Sequence, residues 1–448
     1  MTALEIAAAV RSGRSTAVET VQASLERIDR TDHAVRAFIE VFHDQALADA
    51  AELDRGGRGA GGPLAGVPVA VKGDLDVAGH VTTYGGHAFS SLATRDCDVV
   101  SRLRDAGAII VGATAMPESL LPFTESARFG STANPAAPGR TAGGSSGGAA
   151  AAVAAGMVPV AIGEDVAGSI RIPASCTGVV GMLPRRGLVP GGPGPELFDG
   201  LRVLGPLTST VTDAALVLDA VAGPAGGTPR QVFSAALADA RENPPRLRIG
   251  WTTSSPDRSV RVETPVREAM RAVARRLAAL GHDVARVDIR WPRCVTVSFT
   301  QFYGGMRQVV RAAEHPERLE WLTRQLAMLA PPEPVAARLR ARVAPAAAAL
   351  EAQFGDLDLL LTPTVAVAVP PAGRLATNPA TRYRRVQKMV AFTHTLNVTG
   401  HPAVSVPTGT ASGAPVGAQL IARRGRDDLV LVAADQLVGQ AGPESDDR

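Results

Sequence analysis

The sequence predicts an α/β fold, a mostly parallel sheet with helices packed on both faces. Three observations carry that expectation. Short apolar runs alternate with amphipathic helical segments, the runs are apolar at consecutive positions, and Gly- or Pro-rich turns separate them. A strand covered on both faces reads as a continuous apolar run, and strands alternating with helices favour parallel crossovers.

Thr16 and Glu19 stand at capping-box spacing before Val18, Val21, Leu25 and Ile28, which recur every three or four residues and predict the first helix. A Gly-rich turn, Gly56 to Gly62, leads into the strand Gly66-Val-Pro-Val-Ala-Val-Lys72, with Lys72 at its end. Val99, Val100 and Leu103 form a helical face closed by Gly107, and Ala108 to Val111 follow as a strand. After the Gly/Ser loop Gly143 to Gly148 come an Ala-rich helix, the strand Val158 to Ile162 and a second Gly/Ser turn ending at Ser169. A helix over Thr212 to Val221 stops at Gly223, and residues 224–246 are expected to be a surface connection. Leu247 to Trp251 resumes the strand pattern. Pro265 opens a helix with Val266, Met270, Val273, Leu277 and Leu280 on one face and Gly281 as its stop. Residues 298–350 read as helical, Leu357 to Leu361, Val404 to Val406 and Val416 to Ala422 as strands, and Asp428 to Val438 as the last helix.

Composition narrows the function. With 46% hydrophobic residues, 20% charged residues and a net charge of +3, the chain is neither disordered nor collagenous. No clustered charge accompanies the pI near 9.0, so nucleic acid is not an expected partner. All but two of the 46 basic residues are arginine, the exceptions being Lys72 and Lys388. Cys97, Cys176 and Cys294 are odd in number and lack metal-ligand spacing, so a reduced cytoplasmic protein without metal or cofactor is expected. Met1 to Arg14 carries no secretory signal pattern. The uncharged run Gly147 to Gly163 has 17 residues and is broken by Gly156 and Pro159. A spanning helix needs about 20 strongly apolar residues. We read the run as a buried helix and strand, with no membrane association.

The loop Gly143-Gly-Ser-Ser-Gly-Gly148 lets backbone amides and hydroxyls approach a ligand. It lacks the Lys-Ser or Lys-Thr of a phosphate-binding P-loop. It also satisfies G-x-S-x-G around Ser145 or Ser146, which would make it a nucleophile elbow with a downstream His394 or His401. A flexible connection is the remaining reading. The second turn, Gly163-Glu-Asp-Val-Ala-Gly-Ser-Ile-Arg-Ile-Pro-Ala174, sets Ser169 among successive backbone N–H groups that can converge on an oxyanion. Arg171 either binds a substrate carboxylate or, the reading we favour, pairs with a neighbour such as Asp165 to brace the turn.

At these motifs the chain resembles the amidase signature hydrolases. The likeness takes in Gly66 to Lys72, Gly143 to Gly148, Gly163 to Ala174 and Gly178-Val-Val-Gly181. It continues through Gly205-Pro206 to Asp219, Asp358 to Thr364, and Asn397-Val-Thr-Gly400 to Gln419, in the family's order. The resemblance implies one large α/β/α domain around a mixed, twisted sheet, spanning residues 1–440 with a variable pocket region at about 224–355. The tail, 441–448, is expected to be disordered. It further implies a Ser–Ser–Lys triad that cleaves a small-molecule amide: Ser169 the nucleophile, Ser145, after a cis peptide bond, the proton relay, and Lys72 the base. The N–H groups of Val166, Ala167, Gly168 and Ser169 would form the oxyanion hole, and Ser146 would hold the surrounding backbone.

That chemistry is coherent. A serine hydroxyl needs a base to take its proton. Lysine serves only when neutral, which burial with little compensating negative charge promotes, whereas arginine stays charged. The relay serine can then protonate the leaving amine before water hydrolyses the acyl-enzyme. Departures from the family pattern are Glu164, where Thr is usual, Ala167, where Gly is usual, and Gly181-Met-Leu-Pro-Arg185, which loses a lysine. Glu164 either alters substrate preference or faces solvent. Cys176 reads as a small buried hydrophobe. Phe299, Phe302, Tyr303 and Trp321 are candidate pocket walls, although such spacing also suits ordinary helix packing. Other readings are an acyltransferase, the glutaminase-like subunit of a tRNA-dependent amidotransferase, and a binding protein that has lost catalysis. The sequence admits a homodimer.

Overall fold

The computed structural model describes residues 1–191, 197–223, 232–373 and 378–439. Among them, the strands are β1 (Phe38–Val41), β2 (Pro68–Lys72), β3 (Ile109–Thr114), β4 (Glu125–Ser126), β5 (Gly130–Ser131), β6 (Val160–Asp165) and β7 (Val180–Leu183). They continue with β8 (Val203–Thr208), β9 (Arg248–Trp251), β10 (Asp283–Arg286), β11 (Leu359–Pro363), β12 (Ala403–Ala411) and β13 (Ala414–Ala422). Eleven of them form one sheet in the order β1-β3-β2-β6-β8-β7-β12-β13-β11-β9-β10, and β4 and β5 pair separately.

The sheet is mixed, as the resemblance implied, and not mostly parallel. Only β2 with β3 and β6, and β9 with β10 and β11, run parallel. The centre is antiparallel because chain reversals replace crossovers there. Between β12 and β13 the reversal takes two residues, Ser412 and Gly413, with φ of 54° and 73°. Positive φ at both central residues is the hairpin turn whose twist matches paired strands.

The apolar runs are buried on both faces. In β2, Val69 and Val71 join one core and Ala70 the other; in β6, Val160 and Ile162 oppose Ala161 in the same way. That alternation explains why these strands are apolar at every position. A third cluster, with Met116, Leu121, Phe302 and Val390, lies beside the two serine turns.

Most expected elements stand within a few residues of their predicted bounds. β1, β4, β5, β7, β8 and β10 were not anticipated, nor were the helices Ala3–Arg11, which precedes the one expected first, and His43–Asp54. β1 and β10 are four-residue edge strands without a buried apolar run, whereas β7 and β8 are buried throughout but interrupted by Gly181 and by Gly205-Pro206, which breaks up their strand pattern. The expected connection at 224–246 contains the helix Phe233–Glu242, while residues 224–231 lie outside the described residues, as does the expected disordered tail. No helix of the described residues is long and apolar enough to cross a membrane. The run from Gly147 forms the buried helix Gly147–Ala154 and then β6.

The capping box at Thr16 opens the helix Ala17–Val35: Thr16 Oγ1 accepts from Glu19 N–H at 3.1 Å, and Glu19 Oε2 accepts from Thr16 N–H at 2.9 Å. Replacing Thr16 by Ala is therefore expected to cost about 1 kcal/mol, read as a lower urea midpoint at unchanged slope.

Candidate active site

β2 ends at Lys72, whose side chain is wholly buried and whose Nζ is hydrogen-bonded to Ser145 Oγ at 2.8 Å. Ser145 follows a cis Gly144–Ser145 peptide bond in the Gly143–Gly148 loop. Gly144 is required there, since a Cβ on it would lie 2.7 Å from the Phe123 backbone nitrogen. Thr124 fastens the loop, its Oγ1 donating to Gly143 O at 2.9 Å and accepting from Gly147 N–H at 3.0 Å.

Ser169 stands in the turn between β6 and the helix Arg171–Thr177. Ser146 joins the two serine loops. Its N–H donates to Ser169 O at 3.1 Å, and its hydroxyl donates to Glu164 O at 3.0 Å while accepting from Glu164 N–H at 3.3 Å. Lys72 and Ser145 therefore meet directly from two segments, and the Ser169 turn is held against the Ser145 loop by Ser146, the backbone clasp the sequence suggested.

The turn takes its shape from a buried ion pair. Arg171 meets Asp165 through Nε–Oδ2 and Nη2–Oδ1, both at 3.0 Å, with neither side chain exposed. Its remaining donors reach Gln419 Oε1 at 2.8 Å, Asn397 Oδ1 at 2.6 Å and Thr393 O at 3.2 Å. Arg171 braces the turn, wholly buried and with its charge matched by Asp165. Burial alone would raise the Asp165 pKa, but the Arg171 charge and hydrogen bonds from Arg171 and Asn397 outweigh it and hold the carboxylate low.

The four N–H groups expected to converge are not equivalent. Gly168 N–H donates to Asp165 Oδ1 at 2.6 Å, so it is turned away from an oxyanion. Among the described residues, no acceptor of the chain meets the N–H of Val166, Ala167 or Ser169. Ala167 keeps ordinary negative φ, so the turn does not need glycine there, whereas Gly168 has φ of 124° and a Cβ on it would meet Thr393 Oγ1 at 2.3 Å.

The expected absence of negative charge around Lys72 is corrected by the structure. Asp74 Oδ2 lies 3.3 Å and Glu164 Oε2 3.9 Å from Nζ, and all three side chains are buried. Glu164 thus faces inward and not solvent. Arg202 Nε lies 3.3 Å from Glu164 Oε2. Burial and the adjacent Glu164 charge push Asp74 well up, to about 8, while Glu164, despite its burial, is held low by Lys72 and Arg202. At neutral pH the two acids share one negative charge, and Arg202 already offsets it. Sequence reasoning missed Asp74 and Arg202. Asp74, two residues beyond Lys72, carried a positional signal; Arg202, 130 residues away in sequence, carried none.

Beside Ser169 is a small pocket walled by Leu120, Leu121, Phe299, Phe302, Val386 and Val390. Of the suggested aromatic walls, Phe299 and Phe302 line it, Tyr303 packs against both, and Trp321 is mostly exposed. Neither His394 nor His401 hydrogen-bonds Ser145 or Ser169, which removes the footing of the nucleophile-elbow reading. His401 bonds Thr399 and Glu351 instead. Cys176 is fully buried, its thiol pushed up to about 12 by burial.

The amidase family model matches residues 19–431. The amidase AmiB2 of Mycobacterium tuberculosis, named as a putative one, is 39% identical over 436 residues, covering 95% of this chain and 93% of that protein. The 6-aminohexanoate-cyclic-dimer hydrolase of Paenarthrobacter ureafaciens is 35% identical over 472 residues, covering 96% and 92%. A solved structure of 6-aminohexanoate cyclic dimer hydrolase with its substrate superposes with a TM-score of 0.88 at 31% identity, covering 98% of this chain and 96% of that one.

Two outcomes follow from the buried charges. Arg171→Met leaves Asp165 ionised without its partner and is expected to cost about 3–5 kcal/mol in urea unfolding. Asp74 holds its proton in the native state at pH values where the unfolded chain has released it, so this group lowers stability as pH rises from about 4 toward 8. Asp74→Asn should therefore gain on the wild type in urea midpoint between pH 5 and pH 8, and parallel midpoints would contradict that assignment.

Proposed function

The chain belongs to the amidase signature family of amidohydrolases, and from that premise we propose that it cleaves a small-molecule carboxylic amide through an acyl-Ser169 intermediate. Ser169 Oγ attacks the amide carbonyl, Ser145 accepts its proton, and Lys72 accepts the proton from Ser145. The developing oxyanion is received by the N–H groups of Val166, Ala167 and Ser169. Ser145 then protonates the departing amine, and water, activated through the same serine and lysine, releases the acid.

The observation that carries this reading is the 2.8 Å hydrogen bond between buried Lys72 Nζ and Ser145 Oγ. A lysine in water would be protonated at neutral pH and useless as a base. Here Lys72 is buried against Ser145, and the Glu164 carboxylate beside it is shared with Arg202 while burial pushes Asp74 up toward its neutral form.

We further take residues 1–440 as one amidase domain, supported by a sheet that draws strands from Phe38 to Ala422. A reduced cytoplasmic setting is supported by Cys97, Cys176 and Cys294, all buried and unpaired. For a first substrate we propose 6-aminohexanoate cyclic dimer and simple linear amides, on the likeness to the named hydrolase.

The mechanism is tested by a fluorophosphonate and by turnover together. The wild type should be labelled at Ser169, and Ser169→Ala should take no label. Lys72→Arg keeps a cation but cannot accept a proton, so kcat/KM should fall by about 10²–10⁴. Turnover by Lys72→Arg close to that of the wild type would sink the proposal.

A further inference from the structure

The pocket beside Ser169 contains one polar side chain that the fold leaves unanswered. His394 opens the helix His394–Thr399, is 2% exposed and lines the same pocket as Ser169 and Phe302. Its Nδ1 is buried without a hydrogen-bond partner, and among the described residues no bond of the chain reaches either ring nitrogen. His401, seven residues on, shows the contrast: both of its nitrogens are satisfied, by Thr399 and Glu351. A buried polar group left unpaired costs about 1–3 kcal/mol, so a site of this kind is matched by a group arriving from outside.

The rest of the lining fixes what that group can be. Apart from Ser169, Ser298 and His394 the lining residues are apolar, and among the described residues no Lys, Arg, Asp or Glu lines it. The charged groups acting on His394 are Asp257 and Arg171, which pull in opposite directions. Burial dominates and brings the imidazole down to about 4. It is therefore neutral at pH 7, with one ring N–H to donate and one bare nitrogen to accept. Arg171 does not line the pocket, and its charge is already matched by Asp165.

We propose that this pocket is a recognition site for an apolar, uncharged substrate group carrying one hydrogen-bonding oxygen, and that His394 reads that oxygen. The assignment rests on Ser169 being the reacting serine and adds to it the class of amide selected. His394 acts as a specificity residue and takes no part in proton transfer to Ser169. Substrates whose matching group is a carboxylate or an ammonium are excluded, because nothing in the pocket offsets their charge.

A series of p-nitroanilides tests this. The acyl chain is kept at six carbons, and one methylene is replaced in turn by a keto group along it; the unsubstituted chain and a chain ending in a carboxylate complete the set. In the wild type, one keto position should raise kcat/KM by about tenfold or more over the all-methylene parent, and the carboxylate should fall below it. His394→Phe should abolish the keto preference while still accepting the parent, and His394→Gln should keep part of it. A flat series in the wild type, or a keto preference unchanged in His394→Phe, would overturn the proposal. Fluorophosphonate labelling of the wild type separates the two levels of the argument. A labelled Ser169 with a flat series defeats only the role of His394, whereas an unlabelled Ser169 defeats the mechanism beneath it.

Discussion

The site depends on one buried guanidinium. Arg171 joins the end of β6, the helix it opens, the helix at His394–Thr399 and β13, because Asp165, Asn397 and Gln419 all converge on it. These groups are up to 248 residues apart in sequence. Asp165 in turn accepts from Gly168 N–H and Ile170 N–H, so the curvature of the Ser169 turn is dictated by the same carboxylate. Taking both charges out of water is costly, and an apolar substitute of equal volume could be as stable. What an apolar pair could not do is orient backbone N–H groups. The pair contributes geometry: it takes the Gly168 N–H and thereby fixes the direction of those of Val166, Ala167 and Ser169.

The same low-dielectric interior sets a second constraint, at Lys72. Four ionisable side chains, Lys72, Asp74, Glu164 and Arg202, are packed together with little or no water access. Like charges at such distances cannot all persist, and one acid must hold its proton. Asp74, with neither carboxylate oxygen hydrogen-bonded, is the acid that does so; Glu164, between Lys72 and Arg202, is the one that stays charged. Glu164 is the position where the chain departs from its family's usual Thr. Its companion Arg202 restores the balance that the extra charge would upset.

Legibility in the sequence followed how local each determinant was. The capping box at Thr16, the strand ending at Lys72 and the two serine turns are set by neighbours within a few residues, and all stand where the pattern put them. Strand direction was not local. Continuous apolar runs identified strands buried on both faces but said nothing of the antiparallel centre, which depends on reversals such as Ser412–Gly413. The charge around Lys72 was misread for the same reason. A lysine at a strand end looks isolated in sequence, and only folding brings Glu164 and Arg202 to it. The Gly168 N–H was also assigned to the wrong acceptor, since residue type reveals that an amide is present but not where it points.

The near-absence of lysine bears on these constraints. Arginine fills almost every basic position, including the buried ones at 102 and 171 and the half-buried one at 202. At 171 a planar fork with five donors is what the turn requires, and at 202 a permanent charge is what Glu164 requires. Lys388 is exposed near the end of the helix Pro379–Val390, where either cation would serve. Position 72 differs from all of these. It needs a nitrogen narrow enough to fit at the end of β2 against Ser145 and, in the mechanism proposed, able to lose its charge. A guanidinium there would meet the first demand poorly and the second not at all. The compositional bias and the chemistry therefore pull against each other at one buried position, and the chemistry prevails.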